Sequence, residues 1–215
     1  GLALCSDATV SDAGDVVGDP TEAALVVLAA KIGVDAEETR RAYPRLGEVP
    51  FDSDYKFMAT FHQVPLDGQD RLVVLVKGAP DVVVARCDQV ADPQAGRPAP
   101  MTDGGKDLTE ANARLGSQGL RVLAFAARVL DESERATIDS DAMSLVHDLT
   151  FAGMVGIIDP LRPSSKAAVD VAHRAGIDVR MITGDHAVTA EAIGRDLQLG
   201  PGAISGAELA AIDDV

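Results

Sequence analysis

Cysteine occurs at only two positions, Cys5 and Cys87, too few and too far apart for a disulfide framework or a zinc site. Two buried thiols in a reducing compartment are expected instead. Long apolar runs are missing as well. The longest stretches are broken by Asp, Arg or Gly before they reach the ~18 residues of a membrane span, so no segment here is expected to cross a bilayer. Positive charge is scarce: 19 Lys and Arg stand against 34 Asp and Glu, a net charge of -15. Such a surface repels nucleic-acid phosphates and anionic membrane at long range, and neither is expected as a partner. The chain opens Gly1-Leu2-Ala3-Leu4, without Met and without a basic stretch ahead of an apolar one. Neither a signal peptide nor a natural beginning is expected there, and a piece of a longer chain is.

What is present suffices for a core. Hydrophobic residues make up 47% and charged ones 25% of 215 residues, which are ordinary globular proportions. The length suits one complete domain and part of another. Asp131 to Asp148 is acidic and polar, and beyond it the pattern changes to long apolar strands alternating with helices. The boundary is therefore placed at 148, giving domains of 1–148 and 149–215.

In the first domain Asp19 can cap a helix with Pro20 at its first position, running over Ala23 to Ile32 and stopped by Gly33. It is apolar almost all round, so a deep position is expected. A short helix over Ala36 to Ala42 starts behind Asp35, with Glu38 three residues on, and ends before Pro44. The period then changes to two: Phe57, Ala59 and Phe61 alternate with Met58, Thr60 and His62. Leu66-Asp67-Gly68-Gln69 is a turn, and Arg71 to Lys77 is a buried strand, completing an antiparallel hairpin. Pro80 opens a helix through Cys87, Lys106 to Leu115 is a helix closed by Gly116, and Arg121 to Arg128 is a strand. In the second domain Phe151–Asp159, Ser164–Ala175, Asp178–Thr183 and Ala187–Leu197 read as a parallel β-α-β-α unit, with Ala203–Ser205 a further short strand. The fold class is thus α/β: an α+β domain with an antiparallel sheet flanked by helices, plus a parallel segment.

Two places carry phosphate chemistry. Thr183 stands at the carboxyl end of a strand and before a helix, where backbone amides and the helix dipole favour an anion. Its hydroxyl can donate to a phosphoryl oxygen, Gly184 allows close approach, and Asp185 can hold the turn or a metal-bound water. The alternative is that Asp185 only caps the helix from Ala187. Lys77 ends an apolar strand, so its ammonium either snorkels outward as an ordinary surface group or faces a cleft with a counter-ion. Gly78 and Ala79 leave room beside it for a ring or a phosphate, and Lys56 lies near the start of the partner strand. If Lys77 is a surface residue, Lys77→Ala costs less than about 0.5 kcal/mol of stability.

Six segments in order carry a resemblance: Gly18-Asp19-Pro20-Thr21-Glu22, Phe51 with Lys56, Val76-Lys77-Gly78-Ala79-Pro80, Gly119-Leu120-Arg121-Val122-Leu123-Ala124, Asp159-Pro160-Leu161-Arg162-Pro163 and Met181-Ile182-Thr183-Gly184-Asp185. The chain resembles the cytoplasmic region of type II, calcium-pump-like P-type cation-transporting ATPases over nearly its whole length. The resemblance implies a nucleotide-binding domain inserted into a haloacid-dehalogenase-like phosphorylation domain. It also implies roles. Glu22 contacts the adenine amino group, Phe51 stacks on adenine, and Lys77 and Gly78 line the same pocket. Lys56 lies near the phosphates and Arg121 reaches the phosphate chain. Thr183, Gly184 and Asp185 receive the γ-phosphate, and Asp159 and Arg162 make contacts on the hinge side. Stacking is worth ~1 to 3 kcal/mol per base, with cations neutralising the phosphates. Glu22 also stands three residues after Asp19 in a capping-box arrangement, and the two uses are compatible. Ser53 occupies a position where the family often has an arginine, so weaker nucleotide binding is expected.

The family's Asp-Lys-Thr-Gly-Thr segment, with the phosphorylated aspartate, and its Gly-Asp-Gly-Val-Asn-Asp magnesium segment do not occur in these residues. The resemblance therefore implies a piece that binds ATP without hydrolysing it, within a parent that forms an aspartyl-phosphate with Mg2+. Its partners are ATP and the remaining phosphorylation, actuator and transmembrane domains. It would be a monomer on the cytoplasmic side of the plasma membrane, with the ion's ligands in membrane segments elsewhere. Two alternatives stay open. One is a soluble haloacid-dehalogenase-type phosphatase with a cap domain, disfavoured because it too needs an aspartate nucleophile by its first strand. The other is a regulatory domain that lost its ligand, disfavoured by the presence of Phe51, Lys56, Lys77 and Arg121.

Overall fold

The computed structural model describes residues 1–11, 14–92, 94–158, 163–183 and 187–210. After a turn-rich start, β1 (Thr9–Val10) and β2 (Val16–Val17) pair as a small antiparallel ribbon. Two helices follow, α1 (Pro20–Lys31) and α2 (Ala36–Ala42). Asp19 caps the first by accepting from the Thr21 and Glu22 amides, and Asp35 caps the second by accepting from Glu38. These carboxylates satisfy amide donors that have no partner inside the helix.

The main sheet is built from β3 (Arg45–Val49), β4 (Phe57–Leu66), β5 (Gln69–Gly78), β6 (Cys87–Val90), β7 (Ala99–Pro100), β8 (Leu120–Val129) and β9 (Leu149–Ile158). Their spatial order is β3-β4-β5-β8-β9-β6-β7. Strands β3, β4, β5 and β8 pair antiparallel, whereas β6 lies parallel to β9. Between strands lie α3 (Pro80–Val84), α4 (Lys106–Gly116) and α5 (Arg135–Asp141), and after the sheet come α6 (Pro163–Arg174), α7 (Ala187–Asp196) and α8 (Gly206–Ala210). The hairpin between β4 and β5 turns through Asp67 (φ 51°) and Gly68 (φ 76°). Two successive left-handed residues give a turn whose twist matches the flanking strands.

Side-chain alternation divides the hairpin between two cores. Phe57, Ala59 and Phe61 with Leu72, Val74 and Val76 pack with Val83, Ile138, Leu145 and Leu149 in the larger core. The intervening Met58, Thr60 and His62 are buried as well, and Cys5 lies against this hairpin, with its Sγ 3.6 Å from both the Met58 and Leu75 carbonyls. A smaller core of Ala3, Val26, Ala29 and Ala36 joins the opening segment to α1 and α2.

The molecule divides into two compact units, Gly1–Leu108 with Leu123–Val155, and Thr109–Val122 with Gly156–Val215. Leu149–Val155 thus belongs to the first unit, because Leu149 donates to Arg86 O at 2.9 Å and pairs with Cys87. The same pairing shortens the helix expected from Pro80 to Cys87. It ends at Val84, and Cys87 begins a strand. Helix α1 is not deep all round: Ala23, Leu25, Val26 and Ala29 are buried, while Val27 is exposed. No strand forms over Asp178–Thr183 or Ala203–Ser205, since a strand exists only where a neighbour completes its hydrogen bonds. Cys5 is buried, Cys87 is partly so, and both are free thiols. Among the described residues no helix is long and apolar enough to cross a membrane.

Candidate functional site

Strand β5 ends on Lys77 and Gly78, opposite Met58 and Phe57 of β4. Because successive side chains point to opposite faces, Lys77 points away from the larger core. Its ammonium is ion-paired with Glu22 Oε1 from the first turn of α1. Lys77 is only 5% exposed, which corrects the surface alternative: the cation is buried and has a counter-ion. The other carboxylate oxygen, Oε2, accepts from the amides of Asp7 at 2.8 Å and Ala8 at 3.0 Å. Glu22 therefore holds three donors from two separate parts of the chain. A carboxylate oxygen has two acceptor sites, so Oε1 keeps one beyond the lysine.

The segment leading into α1 is shaped for the same contact. Gly18 has φ of 111°, and a Cβ there would lie 3.0 Å from Ala8 Cα. Only glycine allows this approach, which brings residues 7 and 8 beneath α1. Gly18, Asp19 and Glu22 thus act in sequence: close packing, capping and binding of the opening segment. The helix-capping box suggested by the Asp19–Glu22 spacing is half formed, since Asp19 accepts from the Glu22 amide at 3.3 Å while the Glu22 carboxylate turns to Lys77 and residues 7 and 8.

The loop from Phe51 to Lys56 lies at the end of the hairpin. Lys56 N donates to Asp52 O at 2.7 Å, Lys56 O accepts from Ala79 N at 3.0 Å, and the Tyr55 hydroxyl donates to Pro50 O. Phe51 is 61% exposed and Lys56 is exposed with φ of 55°. A phenyl ring left in water on a hydrogen-bonded loop is available for stacking. The space beside Gly78, expected to admit a ring or phosphate, is filled by protein. A Cβ there would meet Lys56 O at 2.5 Å and Phe57 Cβ at 2.6 Å.

Of the nine expected site residues, the structure brings Lys77 against Glu22, and Gly78 against the backbone of Lys56. Phe51 stands on the loop that Lys56 closes. Arg121 is exposed in the second unit, as is Thr183. Gly184 and Asp185 lie outside the described residues, as do Asp159 and Arg162. The amides of Asp7 and Ala8 were missed at the sequence level, since backbone donors carry no residue signature.

Comparison with known proteins agrees with this arrangement. The family model described as P-type ATPase, cytoplasmic domain N, matches residues 1–164. A calcium-transporting ATPase of Listeria monocytogenes is 39% identical over 199 residues, covering 91% of this chain and 21% of that protein. Calcium-transporting ATPase 1 of Lactococcus lactis is 36% identical over 217 residues, covering 99% and 24%. A sodium/potassium exporting P-type ATPase of Schizosaccharomyces pombe is 36% identical over 216 residues, covering 94% and 19%. The chain spans about one fifth of the length of the curated relatives it matches. With a family match over most of its length, a mixed α/β fold and the Lys77–Glu22 pair in place, this chain belongs to the P-type ATPase cytoplasmic N-domain family.

Proposed function

We propose that the chain is the ATP-binding part of a cation-transporting P-type ATPase, and the observation that carries this reading is the buried Lys77 ammonium held by Glu22 beside an exposed phenyl ring on the Phe51 loop. In this reading adenine stacks on Phe51, and its amino group donates to the remaining lone pair of Glu22 Oε1. Lys77 lines the pocket and Gly78 shapes its floor by letting β4 and β5 close. Lys56 and Arg121 neutralise the triphosphate, and Thr183, Gly184 and Asp185 receive the γ-phosphate. Domains of 1–148 and 149–215 then serve nucleotide binding and part of a haloacid-dehalogenase-like phosphorylation domain.

The parent protein would use ATP to move a cation across the plasma membrane from this cytoplasmic domain. The γ-phosphoryl group passes to an aspartate carboxylate elsewhere in the parent and ADP leaves. The relatives name calcium in two cases and sodium/potassium in a third, consistent with ion choice residing in other segments. Among the described residues no group of three or more His, Cys, Asp or Glu side chains is placed to hold a metal. Mg2+ would arrive on the phosphates of the nucleotide, and no step here is assigned to it. A family of transport ATPases favours this reading over a soluble phosphatase.

The test is an amide NMR titration with ATP, adenosine and pyrophosphate. ATP and adenosine should both shift signals around Phe51 and Lys77, and Phe51→Ala should weaken both by about tenfold, the effect of ~1.4 kcal/mol of stacking. Shifts with pyrophosphate alone would remove the adenine pocket from the proposal.

A further inference from the structure

A cavity of about 260 Å³ lies in the first unit, away from the Lys77–Glu22 pair, between the opening segment, the end of α2 and the hairpin. Leu4, Ser6 and Asp7 form one side of its lining, and Tyr43, Arg45 and His62 another. His62 and Ser6 are each 1% exposed. The His62 Nδ1 lies 3.0 Å from Tyr43 O and, facing a carbonyl, donates to it. Burial, followed by weaker effects that include the nearby Arg45 charge, keeps this ring below its ordinary pKa and hence neutral at pH 7. In that tautomer Nε2 is a bare acceptor, and it has no partner. The Ser6 hydroxyl also lacks one. Buried polar groups are normally satisfied, so two such atoms on the lining of one cavity mark a place where something else supplies the bonds.

The charges on the walls say what kind of molecule that is. Arg45 is paired with Asp7 and Glu48, and Arg40, which also lines the cavity, binds Glu37 and donates to the carbonyls of Ala3, Ser6 and Ala8. Three carboxylates answer two guanidiniums, which leaves no excess positive charge to draw an anion. Nε2 calls for a donor, Leu4 and Tyr43 offer apolar surface, and the volume is roughly eight times the ~30 Å³ a water occupies in the liquid. From this geometry we propose that the cavity is a second ligand site, distinct from the nucleotide pocket, for a small uncharged ring bearing a hydroxyl or N–H that donates to His62 Nε2, with Ser6 Oγ as its second hydrogen-bond partner.

Phenol and its methyl ether anisole have nearly the same shape and differ in the donor. The 215-residue chain, with ¹⁵N-labelled histidine, is titrated with each without nucleotide. Phenol should move the His62 Nε2 resonance along a saturable curve in the millimolar range. Anisole should bind at least tenfold more weakly, and Ser6→Ala should weaken phenol several-fold while leaving the folded spectrum intact. An unmoved Nε2 resonance up to the solubility limit of phenol, which would mean water alone serves these atoms, overturns the proposal. Equal binding of anisole overturns it too. Because no nucleotide is present, neither outcome bears on the ATP reading.

Discussion

At the residue scale, the ion pair between Lys77 and Glu22 is the most consequential contact in the first unit. The side chains are 6% and 15% exposed, so removing one partner leaves a charge with poor access to water. Breaking such a pair costs about 3 to 5 kcal/mol, against the 0.5 kcal/mol expected of a surface lysine. Lys77→Ala and Glu22→Ala should each lower urea stability by about that amount, while Lys77→Met combined with Glu22→Leu should recover much of the loss. Glu22→Ala should be the costlier single change, since it also orphans the Asp7 and Ala8 amides. A near-neutral Lys77→Ala would return the lysine to the surface. The residue types here were legible in the sequence; the partner of Lys77, 55 positions away, was not, because a charge pair across that separation leaves no local pattern.

At the element scale, the hairpin of β4 and β5 was readable from alternation and from its Asp-Gly turn, and Pro20 behind Asp19 marked α1. Those signals are local, set by backbone preference over a few residues. Cys87 was misassigned to a helix because Cys87-Asp88-Gln89-Val90 has no pattern of its own and becomes a strand by pairing with Thr150 and Phe151. Glycine roles likewise depend on neighbours. At Gly78 a Cβ would strike the Lys56 backbone oxygen and the Phe57 Cα and Cβ; at Gly47 it would meet chiefly the Ile138 Cγ2 methyl at 2.3 Å. A side chain can rotate, whereas two paired strands must separate. Gly78→Ala should therefore cost more than Gly47→Ala in thermal melts, by about 1 kcal/mol or more, and the opposite order would show that the strand end yields more easily than the side chain.

At the scale of the whole molecule, the first unit carries a core in which β4 and β5 are buried on both faces, whereas residues 177–183 of the second unit make no strand pairing. Opening free energy follows such differences in burial and hydrogen bonding. Amide hydrogen exchange should be slowest over 57–62 and 72–77 and much faster over 177–183, and comparable protection in the two regions would contradict the assigned structure. The parallel β-α-β-α unit expected after residue 148 fails at the same place. Its apolar pattern was real, but pairing needs a neighbour, and Leu149–Val155 joins the sheet of the first unit instead.

The linear order of residues by itself determined the capped helices, the hairpin, the acidic surface and the order of six motifs that matched the family, because each depends on neighbouring residues or on composition. Only the tertiary structure decided that Lys77 is buried against Glu22, that the space beside Gly78 is occupied, and that His62 and Ser6 keep unsatisfied atoms beside a cavity. Burial and long-range pairing are properties of surfaces brought together from distant parts of the chain, and those surfaces exist only once the segment from Gly1 to Ala8 has closed over the hairpin.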